Sequence, residues 1–147
     1  VRIEAFGVFD ASPGRTWEVL SDWERQAAWM PDVAWIRVRG TERREGAVLD
    51  VRTKIFGIPA VTDEVVVTAW EPPHRLAVEH RGLVVGDGEW RLEAFGAGTR
   101  FVWIERLSLP FGVIGDLALR AYGPVQRAML RRSIRNLKAL CEAPTGW

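Results

Sequence analysis

Between residues 47 and 55 apolar and polar side chains alternate. Leu49, Val51, Thr53 and Ile55 fall on one side, and Asp50, Arg52 and Lys54 on the other. A period of two belongs to a strand with one buried face. The pattern recurs downstream. Residues 74–81 set Leu76, Val78 and His80 against Ala77, Glu79 and Arg81, and residues 89–95 part Trp90, Leu92 and Ala94 from Glu89, Arg91 and Glu93. Residues 99–107 align Phe101, Trp103, Glu105 and Leu107. Apolar runs at 2–10, 33–39 and 60–70 bring the expected total to about seven strands. Gly40 and Gly46 bracket a charged loop, FGIPA (56–60) reads as a turn with an apolar tip, and Glu71-Pro72-Pro73 ends a ladder. Gly86-Asp87-Gly88 and Gly96-Ala97-Gly98 also read as turns. Connections this short join antiparallel neighbours, because a parallel crossover needs a dozen residues or more.

Helical signals lie at either end of the strand region. Ser12-Pro13 starts a helix, the serine capping free amides and the proline losing no needed hydrogen bond. Ser21 and Glu24 have capping-box spacing and predict a second short helix, ending near Met30-Pro31. Residues 110–143 form the one segment long enough for a major helix. Its apolar positions before residue 123 are Ile114, Leu117, Ala118, Ala121 and Tyr122; after it they are Leu130, Ile134, Leu137 and Cys141. At 100° per residue the two sets differ by roughly 100°. Pro124 cannot donate to the carbonyl of Arg120, so the pattern predicts two helical pieces or one kinked helix, each part gripping a different region of the sheet.

Composition narrows the function more than the fold. A chain of 147 residues fits one domain, 1–147, with a short loose tail expected after Glu142. A net charge of +1 gives no global field to gather nucleic acid or an anionic membrane. Arg127, Arg131, Arg132, Arg135 and Lys138 read as a solvated helix face, without the aromatic interleaving of an RNA site. Lone Cys141 allows no intrachain disulfide and suits a reducing cytoplasm. No apolar run approaches the roughly 20 residues of a membrane helix, and no secretory signal pattern opens the chain. Two histidines and one cysteine, with no CxxC or HExxH, predict neither a metal centre nor a cofactor. Nor is there a nucleophile elbow for hydrolysis. Eight tryptophans serve either as large core filler or as aromatic cavity walls.

Four stretches carry a resemblance. TWEVLSDWERQAAWMPDV (16–33) resembles the segment around the two short helices of the START-like, or SRPBCC, superfamily, and especially its polyketide cyclase/dehydrase-like branch. WEPPHRLAV (70–78) is similar to that branch's turn into the fifth strand, GTRFVWIERLSLP (98–110) to its last strand, and LRRSIRNLKAL (130–140) to the end of its long helix. The resemblance implies an α+β helix-grip (START/Bet v 1-like) fold. In it a curved antiparallel sheet of about seven strands wraps a long C-terminal helix, with two short helices after strand 1. It also implies an elongated apolar cavity between sheet and helix, used across the family for lipids, isoprenoids, polyketides and other hydrophobic molecules. Some members are aromatase/cyclases and many only bind or carry, so fold alone does not choose.

On the alternating faces, His80, Glu105 and Tyr122 point among apolar neighbours toward such a cavity. An imidazole there acts as acid, base or ligand donor, or sits in the core on a backbone partner. A carboxyl between Trp103 and Leu107 is expected to have a raised pKa if it lies in an apolar site, or to make an ion pair, or to stand where the strand end turns into solvent. The Tyr122 hydroxyl reaches either a ligand or a carbonyl freed by Pro124. Asp63 shares the Val61/Val65 face but belongs more naturally in water. Trp35, Trp90, Phe101 and Trp103 are the expected sheet walls, and Leu117, Ala121, Tyr122 and Val125 the helix wall. Trp29, Met30, Phe56, Ile58 and Phe111 are expected at the mouth. These expectations favour a binder of a hydrophobic small molecule over an aromatase/cyclase-type enzyme, and over a protein-interaction or chaperone-like module. Oligomeric state and ligand identity are left open.

Overall fold

The computed structural model describes residues 1–144, so the expected tail lies mostly outside the described residues. Seven strands form one antiparallel sheet: β1 (Arg2–Phe9), β2 (Val33–Arg39), β3 (Val48–Ile55), β4 (Ile58–Glu71), β5 (Arg75–Arg81), β6 (Val85–Phe95) and β7 (Gly98–Ser108). Their spatial order is β1-β7-β6-β5-β4-β3-β2. Consecutive hairpins run from β2 to β7, and β1 returns to pair with β7, so β1 and β2 are the two sheet edges.

The chain crosses between those edges through α1 (Pro13–Leu20) and a 3₁₀ helix (Trp23–Ala28). The Ser12 hydroxyl accepts from the Arg15 amide at 3.1 Å, the cap that its position next to Pro13 predicts. The second start differs from expectation. Ser21 closes α1, and Asp22 precedes the 3₁₀ helix without a side-chain cap, so no capping box forms.

The long helix α2 (Gly112–Glu142) runs unbroken through Pro124, so the two-piece alternative is absent. The expected change of face is absent too. Gly115, Leu119, Gly123, Leu130, Ile134 and Leu137 make one inward stripe. The apolar residues that suggested a second face are instead in solvent, Ile114 at 75% exposure and Leu117 at 61%. The buried side of α2 packs on β1, where Gly7 lets the helix approach: a Cβ there would lie 2.7 Å from Ile134 Cγ2.

Other differences are local. Gly86 and Gly88 do not make a turn; β6 begins at Val85 and pairs them with Leu107 and Glu105. The β3–β4 turn is only Phe56-Gly57, with Ile58 already in β4. The core gathers two aromatic groups. Trp70 meets Trp17 and Trp23 edge-on at 5.0 and 5.3 Å. Trp29 packs on Trp90 and Trp103, with Phe101 stacked on Phe9 below them.

Candidate functional site

Between the concave sheet face and α2 lies a cavity of about 390 Å³. That is within the range of small-molecule sites, roughly 300–1,000 Å³. The strand alternation builds most of its wall: Leu49, Val51 and Thr53 from β3, Leu76 and Val78 from β5, and Leu107 from β7. From α2 come Ala118, Leu119, Tyr122, Gln126, Met129 and Leu130. The cavity reaches the surface beside Ile55 and Leu83, which both line it and are 39% and 47% exposed.

Two of the three expected polar residues meet directly. His80 Nε2 lies 3.0 Å from Glu105 Oε2, and the Trp103 indole N–H donates to Glu105 Oε1 at 2.8 Å. Cross-strand pairing explains the convergence. Glu105 on β7 stands opposite Gly88 on β6, and β5 places His80 one strand further along. A Cβ at Gly88 would sit 2.7 Å from Glu105 Oε2 and 2.9 Å from Oε1, so the missing side chain makes room for the carboxylate. Tyr122 lines the same cavity from α2.

Burial alone pulls the His80 pKa down, but the hydrogen bond and charge of Glu105, aided by Asp63 and Asp87, outweigh it and raise the value. His80 therefore holds its proton to higher pH than a free imidazole does, with Glu105 as its partner. Asp63 also lines the cavity, and its Oδ1 accepts the Leu83 amide at 3.1 Å, fastening the β5–β6 turn. Pattern reasoning missed Asp32 and Gln126. Asp32 sits in the turn before β2, and its pKa is raised by burial and by the nearby Glu105 charge, against its own backbone hydrogen bond. Cys141 is buried, which pushes its thiol up to about 11 and leaves it unreactive at neutral pH.

Several expected wall and mouth residues lie elsewhere. A bulge between Val33 and Trp35 turns Val33 and Ile36 to the cavity and Trp35 outward, where Arg37 stacks on it at 4.3 Å. Phe101 is fully buried in the aromatic core and does not line the cavity. Leu117 and Ala121 are exposed and Val125 is half-buried outside the lining, because α2 turns Leu119, Tyr122 and Gln126 inward instead. Trp90 and Trp103 are walls. At the mouth, Met30 lines the cavity, whereas Trp29 is fully buried in the core. Phe56, Ile58 and Phe111 stay exposed at 74%, 68% and 76%, so the turn does not hide its apolar tip. The Phe56 ring nevertheless meets Tyr122 edge-on at 5.5 Å.

The family model described as polyketide cyclase/dehydrase and lipid transport matches residues 1–142. Among solved structures, the chain is similar to TTHA0849 from Thermus thermophilus. That match has 18% identity, a TM-score of 0.77 and 94% coverage of each chain. It is similar to the Zhui aromatase/cyclase from Streptomyces sp. R1128, at 18% identity and TM-score 0.73, over 100% of this chain and 99% of that one. It also matches the di-domain ARO/CYC StfQ from the steffimycin biosynthetic pathway, at 16% identity and TM-score 0.79. That match covers 97% of this chain but 50% of the other. At these identities the structures speak to fold. No curated protein sequence matches.

Proposed function

The chain belongs to the polyketide cyclase/dehydrase and lipid transport family, and from that premise we propose that it is a cytoplasmic binding protein for a hydrophobic, ring-bearing small molecule. The observation that carries this reading is a mainly apolar cavity of about 390 Å³ with one hydrogen-bonded pair, His80–Glu105, set into its wall. Burial against Leu, Val and Trp side chains supplies affinity at roughly 25 cal/mol per Å² of apolar area. The polar pair orients the ligand. Trp90 and Trp103 line the cavity, so occupancy changes their fluorescence. Titration with N-phenyl-1-naphthylamine tests the reading: saturable one-to-one quenching supports it, and linear, unsaturable uptake sinks it.

A second reading is cyclase chemistry on a polyketide-like chain, and the His80–Glu105 contact is the observation that favours it. Aldol closure takes a proton from the carbon beside one carbonyl and gives a proton to the oxygen of another. Dehydration then removes a second proton from the carbon beside the first carbonyl, and the hydroxyl is protonated and leaves as water while the carbon–carbon double bond forms. An imidazolium with a raised pKa supplies the oxygen-directed proton, and Glu105 holds the ring and its charge. The walls hold the flexible chain folded, which removes much of the entropic barrier. With a poly-β-ketone generated in place, the reading requires a product distribution unlike the uncatalysed one, restored to it by His80→Gln. Identical distributions with and without protein would remove the enzyme reading and leave binding standing.

A further inference from the structure

Helix α2 has an outward face that the cavity does not use. Val113, Ile114 and Leu117 in its first turns are exposed, and so are Arg120, Arg127, Arg131, Arg132 and Arg135 beyond them. At 100° per residue all eight lie within roughly 140° of the helix circumference, opposite the buried stripe. None of the five guanidinium groups has an ion-pair or hydrogen-bond partner among the described residues. Charge is uneven too: α2 carries six basic side chains against two acidic ones, in a chain whose net charge is +1.

The apolar half of this face continues around the cavity mouth, where exposed Ala118, Ile55 and Leu83 line the opening. Nine of the twelve exposed large apolar side chains among the described residues belong to this rim, in segments 55–58, 83–85 and 111–117. Folded proteins seldom leave so extended an apolar surface uncovered unless something binds it. Two members of the rim are held there at a backbone cost. Phe56 and Phe111, at φ 50° and 78°, are the non-glycine residues with left-handed backbone among the described residues. Gly or Asn fits that conformation with less strain, and a mostly exposed ring gains the fold little in return.

We propose that this face docks on the surface of an anionic lipid bilayer, with the rim in the acyl boundary and the arginines among the headgroups. A bilayer of that kind covers both parts of the face at once. A second copy of the chain covers the rim but brings two sets of unpaired arginines together. A nucleic acid pairs the arginines and leaves Val113, Ile114 and Leu117 wet. Docking stands on this surface alone, and its use rests on the binding reading above: with the mouth against the bilayer, an apolar ligand passes between acyl chains and cavity without crossing water.

The test is co-sedimentation of the native chain with phosphatidylcholine vesicles, with and without one-third phosphatidylserine. The expected result at low salt is binding at least tenfold tighter to the phosphatidylserine vesicles, weakening as salt screens the arginines. Arg131→Gln/Arg135→Gln weakens it about thirtyfold, and Ile114→Gln/Leu117→Gln about tenfold. All four positions are exposed and outside the cavity lining, so the thermal melt and dye uptake without vesicles stay native. No sedimentation with either vesicle would overturn the proposal, and native dye uptake would leave the binding reading standing. Binding lost in the arginine variant but kept in the Ile114/Leu117 variant would also overturn it, in favour of a purely charged partner. A dimer on gel filtration that the Ile114/Leu117 variant dissociates would give the rim to a second copy and overturn it too. Vesicle binding without dye uptake would uphold docking and remove the binding reading.

Discussion

Gly88 and Glu105 face each other across β6 and β7, and the Glu105 carboxylate occupies the space that a side chain at residue 88 would need. The contact of His80 with Glu105 is thus set by a residue that contributes no functional group. Gly88→Ala forces a Cβ to within 2.9 Å of both carboxylate oxygens. Displacing the carboxylate costs about 1–3 kcal/mol of stability, as overpacking does. The His80 ring resonances, followed by NMR, should then titrate at lower pH than in the native protein. An unchanged His80 titration would mean that the carboxylate has room to move without losing its partner.

The pair also makes stability depend on pH in one direction. His80 has its folded pKa raised above the ordinary 6.5, so the folded state binds the proton more tightly than the unfolded chain. Its contribution is complete below the unfolded value and is lost as pH rises through the folded one. Chemical denaturation of native protein and Glu105→Gln should therefore differ more below pH 6.5 than well above the folded His80 pKa. A difference that grows with rising pH would contradict the assignment.

Phe56 sits at the tip of the β3–β4 turn in a left-handed conformation, φ 50°, which costs a bulky residue more than Gly or Asn. Its ring contacts Tyr122, a cavity residue, at 5.5 Å. Phe56→Asn relaxes the backbone and removes that contact at the mouth. Stability should stay within about 1 kcal/mol of native, while bound dye leaves several-fold faster in stopped-flow displacement. Unchanged release would place the turn outside the exit path.

Pro124 lies in the middle of α2 and is exposed, so its ring supports no core contact. It denies the Arg120 carbonyl its usual donor. Pro124→Ala should raise the unfolding free energy by about 1–3 kcal/mol. A loss of stability on urea denaturation would show that the proline shapes the helix in a way the cavity needs.

Much of this architecture is legible in the residue pattern. Alternation in β5 and β7, and in β3 as far as Thr53, assigns the inward side of Val51, Val78, His80 and Glu105 correctly, because those stretches keep a period of two; a register shift between Thr53 and Lys54 then brings Lys54, expected on the outer side, to the wall as well. It fails at Trp35, where one bulge slips the register and nothing in VAWIRVR signals it. On α2 the rule that apolar residues face inward misplaces Leu117 and Ala121. A helix beside a cavity need not bury every apolar residue, and α2 turns a polar Gln126 into the wall. Asp32 and Gln126 are illegible for the same reason: a polar side chain in a turn or on a helix reads as solvated unless the space beside it is known. The place of Trp29 next to Met30 suggests the mouth, but the 3₁₀ helix delivers it to Trp90 and Trp103 in the core.

The most direct measurement of the central claim is native mass spectrometry of freshly purified protein beside a Val78→Phe variant, whose larger side chain fills part of the cavity that Val78 lines. The native protein should carry, or take up from N-phenyl-1-naphthylamine, one small molecule per chain, and the folded variant should take up markedly less. Equal uptake by both, or none by the native protein, would contradict binding in the space between the sheet and α2.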